Sequence, residues 1–252
     1  MKLLITLLLL FFTASLSDDV TTRFSLPSGF TREYPQVGSF GQWLQQLKLK
    51  PAGTPTRTYN GDVARTNLYT AAVVDMSVGK YDLQQCADAV IRLRAEYLFH
   101  LKKFNQIAFN FTSGFRCDYV HYANGYQYSN DHWKLKAAKD YSYNNFLQYL
   151  NLVFSYAGTL SLEKELKKVN NQSELKAGDV FIHGGSPGHC FIVMEVIQNR
   201  SHQKKFLLAQ SFMPAQNIQV LQFDGSPWFS LDKPSDILYG ELINMKYLKK
   251  FD

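Results

Sequence analysis

The chain has 252 residues and a formal net charge of +6 at pH 7, long enough to bury the core of one large domain or two small ones. A hydrophobic share of 46% against 19% charged residues excludes a disordered chain. The basic surplus is scattered in pairs such as Lys48 and Lys50, Lys102 and Lys103, and Lys249 and Lys250. No nucleic-acid module surrounds these pairs, so no nucleic-acid partner is expected.

Residues 1–17 carry one lysine, an apolar run and then small residues, the pattern of a secretory signal. The run is too short for a spanning helix, and no cysteine follows it for lipid attachment. The expectation is an exported chain, periplasmic or extracellular, with no integral membrane segment once the signal is removed. The remainder, 18–252, reads as a single domain.

Ser39 caps a short helix with Phe40, Trp43, Leu44 and Leu47 on one face. Residues 68–76 (LYTAAVVDM) form an apolar run that predicts a central strand. The strongest helical signal covers 83–104. Asp82 reads as its N-cap with Gln85 three residues on, and Arg92 and Glu96 form an i,i+4 pair. Residues 107–111 predict a strand. Residues 115–140 are rich in Tyr, His, Asn and Trp with little periodicity, which predicts a surface excursion. Helices follow at 143–156 and 162–169. From Asp179 the pattern is β-rich, with strands expected near 180–183, 190–197, 205–211, 218–223 and 238–245. Helices first and antiparallel strands after them predict an α+β fold.

Two stretches could carry chemistry. The first is the hairpin of residues 178–195, in which Gly184, Gly185, Ser186, Pro187 and Gly188 force a turn and His189 opens the second strand. The second is Cys86 in the first turn of the long helix, where the positive end of the helix dipole favours a thiolate. A cysteine at a helix start and a histidine on a facing strand form the activated pair of thiol hydrolases. Gln210, on the following strand, is the natural group to orient the histidine. Cys86, His189 and Gln210 are therefore the candidate catalytic residues. Ser186, Gln216 and Trp133 are the candidate substrate contacts.

Each of these residues also has a structural reading. Cys86, Val90, Leu93 and Tyr97 lie on one helical stripe, where a cysteine can be a small core residue. His189 can hold a turn carbonyl, and Gln210 and Gln216 can hydrogen-bond the bend at 213–215. Ser186 lacks a Gly-x-Ser-x-Gly elbow. Strand alternation turns Cys190 to the face opposite His189. The three cysteines leave at least one thiol unpaired. No spacing suggests a metal site, and no cofactor is implied.

The order Cys, His, polar residue on successive elements resembles papain-like folds, and in particular the NlpC/P60 amidases and peptidases. The residues that carry the likeness are Asp82 to Ala89, Gly178-Asp179-Val180-Phe181, and Gly188-His189. In that group an Asp-Cys-Ser/Gly triplet is usual, where this chain has Gln85-Cys86-Ala87. The resemblance implies N-terminal helices packed on a C-terminal antiparallel sheet. It also implies thiol hydrolysis of an amide bond, with a peptide or cell-envelope polymer as substrate. The strings DLQQCADAVIRLRAEYL, GDVFIHGGSPGH, LLAQSFMPAQ and SPWF together resemble an exported bacterial family known only as domain of unknown function 4846. That resemblance implies export and no activity. The other reading of the whole chain is a non-catalytic module of the same fold, binding a glycan or peptide through the aromatic segment from Tyr119 to Trp133.

Overall fold

The computed structural model describes residues 18–252; the expected signal at 1–17 lies outside the described residues. Among them the helices are α1 (Val20–Arg23), α2 (Phe40–Gln45), α3 (Cys86–His100), α4 (Tyr119–Ala123), α5 (Tyr143–Tyr156) and α6 (Thr159–Glu165). The strands of the first half are β1 (Phe30–Arg32), β2 (Thr70–Val73), β3 (Ala108–Asn110), β4 (Arg116–Asp118), β5 (Tyr126–Ser129) and β6 (His132–Leu135). Those of the second half are β7 (Lys167–Lys168), β8 (Val180–His183), β9 (His189–Asn199), β10 (Lys204–Gln210), β11 (Gln219–Leu221) and β12 (Leu248–Lys250).

One antiparallel sheet organises the chain, in the order β2-β11-β10-β9-β8-β12-β7, with β1 pairing the far half of β9. The architecture is α+β. Helices and sheet are not divided between the two halves of the sequence as expected, because β1 and β2 come from the N-terminal half and join the C-terminal strands. β2 is also not central but ends the strand order, and only its last two residues are buried. Its apolar run is explained by residues 48–50, which cross beside it: Lys50 N–H donates to the Val73 carbonyl at 2.8 Å.

Alternation along the strands builds two cores. Val180, Ile182, Cys190, Ile192, Met194, Leu207 and Ala209 face α3 and α5. Phe181, Phe191, Val193, Phe206 and Leu208 face the other way and are covered by Phe229, Ile237 and Leu242 from the chain after β11. Both faces of the sheet are therefore buried, which is why β8 to β10 read as near-continuous apolar runs.

Residues 115–140 are a surface excursion only in part, since the β5–β6 hairpin and residues 134–140 are largely exposed while β4 and α4 reach the core. They form β4, α4 and the β5–β6 hairpin, and Cys117, Tyr119 and Ala123 are fully buried. Period detection fails there because the segment is built from elements of five residues or fewer. The strand expected at 238–245 is also absent: those residues form short 3₁₀ turns, and the last strand is β12. No helix among the described residues is long and apolar enough to cross a membrane.

Candidate functional site

The β8–β9 hairpin pairs His183 with His189 across the glycine-rich turn. At Gly188 a Cβ would lie 2.3 Å from the Thr159 hydroxyl oxygen and 2.6 Å from the Gly185 carbonyl oxygen, so the turn at this point has room only for glycine. His189 is fully buried. Its ring stacks on Tyr239 at 4.7 Å and contacts Phe191 at 4.8 Å and Phe212 at 5.2 Å. Tyr239 holds a left-handed φ of 63°, a conformation that costs a non-glycine residue about 1–2 kcal/mol. Nothing in the sequence around Tyr239 signals this role.

His189 Nε2 lies 2.7 Å from Gln210 Oε1. An amide oxygen only accepts, so the ring carries its proton on Nε2 and Nδ1 keeps a lone pair. Nδ1 is buried with no hydrogen-bond partner. Burial pushes the His189 pKa down to about 4, partly offset by the bond to Gln210. The ring is therefore neutral at physiological pH.

α3 begins at Cys86, with Gln85 as its N-cap, and not after Asp82 as expected. Asp82 instead accepts from the Gln85 side chain at 3.0 Å and from the Ala215 N–H at 2.6 Å. Asp88 completes the capping box by accepting from the Gln85 N–H at 3.0 Å. Cys86 is thus the first helical residue, where backbone N–H groups have no intrahelical partner.

Two contacts bring this helix start to the end of the sheet that bears His189. The Cys190 thiol donates to the Cys86 carbonyl at 3.4 Å, and the Ser211 hydroxyl to the Gln84 carbonyl at 2.8 Å. Cys190 faces α3 while His189 packs with Phe191 on the other side, as alternation predicts. The exposed Arg65 provides a third link. Its guanidinium stands 4.7 Å over the Phe212 ring that touches His189, and its charge also lowers the Cys86 pKa.

A cavity of about 250 Å³ opens beside Cys86. Gln85, Asp88, Thr159, Gly185, Ser186 and Gly188 are among the residues that line it. Ser186 is therefore brought to the cavity. Gln216 is not: it is buried and bonded to Thr66 at 2.8 Å and Gln219 at 2.9 Å. Trp133 lies on β6, stacked on His121 at 5.5 Å, and does not line this cavity.

The Cys86 thiol is raised to about 12, first by burial and then by the Asp88 charge, against the lowering effects of its own N–H and Arg65. Asp88 itself is raised to about 8 by burial. It is thus mostly protonated at pH 7, and its effect on Cys86 is small there. Asp88 was not among the expected site residues, although the three-residue spacing from Gln85 could have marked it. Its folded pKa lies above its unfolded value, so the folded state holds the extra proton and loses stability as pH rises from about 4 to about 8. Asp88→Asn, which keeps the capping oxygen, should flatten that part of the stability curve and melt above the wild type at pH 9. Thermal melts of both proteins at pH 6 and pH 9 test this.

The family model of the domain of unknown function 4846 matches residues 20–246, nearly the whole described chain. The chain belongs to this family. No curated protein and no solved structure matches it. The description of the 4846 family names no activity, so any chemistry assigned to the chain rests on the site itself. The structure brings His189 and Gln210 together, whereas Cys86 meets the sheet through Cys190, on the face opposite His189, and makes no hydrogen bond with the His189 ring.

Proposed function

We propose that the protein is an exported thiol hydrolase of papain-like, NlpC/P60-like type that cleaves an amide bond, with a cell-wall peptide as the substrate class. Cys86 is the nucleophile, His189 the general base and acid, and Gln210 the group that fixes the histidine tautomer. The observation that carries this reading is the 2.7 Å bond from His189 to Gln210, which leaves Nδ1 buried, unprotonated and unpartnered. A purely structural histidine has no use for an orphaned ring nitrogen, because an unmet buried acceptor costs about 1–3 kcal/mol.

In the resting protein both partners are neutral. His189 Nδ1 makes no hydrogen bond with Cys86 in the resting structure, so the reaction requires the thiol to approach it; the proton then passes to Nδ1 as the sulfur attacks the carbonyl carbon. The oxyanion forms against the Cys86 backbone N–H at the start of α3. His189 then gives its proton to the leaving amine, and water hydrolyses the acyl-enzyme.

Iodoacetamide should alkylate Cys86 in the native protein at pH 7, ahead of the fully buried Cys117 and Cys190. Peptide mapping after a brief exposure identifies the labelled thiol. The second reading, a binding module without a nucleophile, is favoured by the burial of the Cys86 thiol. It is the correct one if Cys86 labels only after denaturation.

A further inference from the structure

Cys86, Cys117 and Cys190 are all free thiols, and two of them meet at the head of α3. The Cys190 thiol, on β9, donates to the Cys86 carbonyl at 3.4 Å, although the two residues are 104 apart in the chain. A carbonyl oxygen lies about 2.4 Å from the Cα of its own residue, so the Cys190 sulfur stands within about 6 Å of the Cys86 Cα. Disulfide-linked residues hold their Cα atoms about 4.4–6.8 Å apart, so these thiols are within bridging reach once the Cys86 side chain turns towards the sheet. Burial raises the Cys190 pKa well above its ordinary value, and the Cys86 thiol adds to the rise, as expected of two sulfurs that share one low-dielectric space.

The two thiols differ in access. Cys86 is 6% exposed and lines the cavity of about 250 Å³, whereas Cys190 is fully enclosed. A small oxidant can therefore reach Cys86 from solvent, and Cys190 is reached through Cys86. Cys117 is equally buried, on β4, and the charge that adds to the burial effect on its pKa is that of Asp118 and not of another thiol.

We propose that Cys86 and Cys190 form a reversible disulfide, which makes the head of α3 a redox-modified site and leaves Cys117 as the odd thiol. The oxidant is a small organic disulfide. The Cys86 thiolate attacks one of its sulfurs, its S–S bond breaks, and one small thiolate leaves. Cys190 then loses its proton and attacks the Cys86 sulfur, and the second small thiolate leaves. The two protein thiols give up two electrons, the small disulfide is reduced to two thiols, and the protein's two protons end on those products. Burial holds both protein thiols protonated at pH 7, so closure is slow there and quickens as the thiolate fraction grows with pH. The pairing does not require Cys86 to attack amides. If Cys86 is the hydrolytic nucleophile proposed above, the same bond withdraws it and switches the hydrolase off.

Treatment of the folded full chain with 2-hydroxyethyl disulfide at pH 8 tests the pairing, read by acid quench, alkylation in denaturant and peptide mapping without reduction. The expected result is a peptide pair joining Cys86 to Cys190, with Cys117 alkylated. Native labelling of Cys86 by iodoacetamide should be lost and then restored by dithiothreitol. Closure should be about 10-fold faster at pH 8 than at pH 7, following the thiolate fraction. Cys190→Ala should stop at the mixed disulfide on Cys86, and Cys117→Ala should close like the wild type. The inference is overturned if the linked peptide contains Cys117, if the wild type stops at the mixed disulfide or stays unmodified, or if the link from Cys86 to Cys190 forms only in denaturant. Mapping reads the bond itself, so failure of the hydrolase reading leaves its result unchanged.

Discussion

His189→Phe should give a folded protein whose Cys86 no longer reacts with iodoacetamide at pH 7, and whose hydrolysis of an amide substrate falls by about 10²–10⁴-fold. The ring cage of Phe191, Phe212 and Tyr239 accepts a phenyl group in place of an imidazole. The cost is the Gln210 amide left unpaired, about 1–3 kcal/mol. Circular dichroism separates the two effects, since a folded but unreactive variant locates the base and an unfolded one does not. Gln210→Glu provides a sharper probe. A carboxylate on Nε2 favours the imidazolium, so the His189 pKa rises from about 4. Activity requires the neutral ring, and the acid limb of the pH–rate profile should move to higher pH in Gln210→Glu. An unmoved acid limb would show that the titrating group is not His189.

Arg32→Ala should lose about 3–5 kcal/mol of stability, the effect of leaving a buried charge without its partner. Glu195 is completely buried on β9, and the Arg32 guanidinium pairs with it from β1. The other guanidinium nitrogen donates to the Thr21 carbonyl at 2.6 Å and the Phe24 carbonyl at 2.8 Å. One side chain therefore ties α1, β1 and the middle of β9 together. Burial raises the Glu195 pKa while Arg32 opposes the rise. Removing Arg32 lets it rise further, so the folded state keeps a proton that the unfolded chain releases. The deficit of Arg32→Ala should accordingly be largest near neutral pH and shrink below about pH 4, where Glu195 is protonated in both states. Urea denaturation at pH 7 and pH 4 tests the magnitude and the sign. The double variant Arg32→Leu/Glu195→Leu, with both charges gone, should recover much of the loss.

The hairpin and the long helices were legible because their signals are local. The glycine-rich turn gave β8 and β9 to within a few residues, and apolar spacing gave α5 its observed ends. The cap of α3 is displaced from the expected Asp82 to Gln85, a shift the sequence hides because Asp82 has the residue type of a cap and Gln85 does not. What removes Asp82 from the cap is a distant partner, since its carboxylate is taken by the Ala215 N–H. Gln216 looked available for a substrate because its partners, Thr66 and Gln219, become neighbours only when the sheet assembles. The Cys86 environment was the least legible part. A helix start argues for a thiolate, but the depth of burial that raises its pKa is a property of the packed chain.

The two ends of the strand order also determine how the molecule meets other copies of itself. An open sheet edge is a template for recruiting further strands. The β2 edge is closed by the crossing segment at 48–50, where Lys50 takes the Val73 carbonyl and the Asp75 N–H donates to the Lys48 carbonyl. The opposite edge, β7, consists of Lys167 and Lys168, both exposed, set against Lys249 and Lys250 of β12. Glu163, Glu174 and Asp252 balance three of these four lysines within the chain. An incoming strand would find only two residues of free backbone there and a surface already neutralised, so this large antiparallel sheet is guarded against growing into an aggregate.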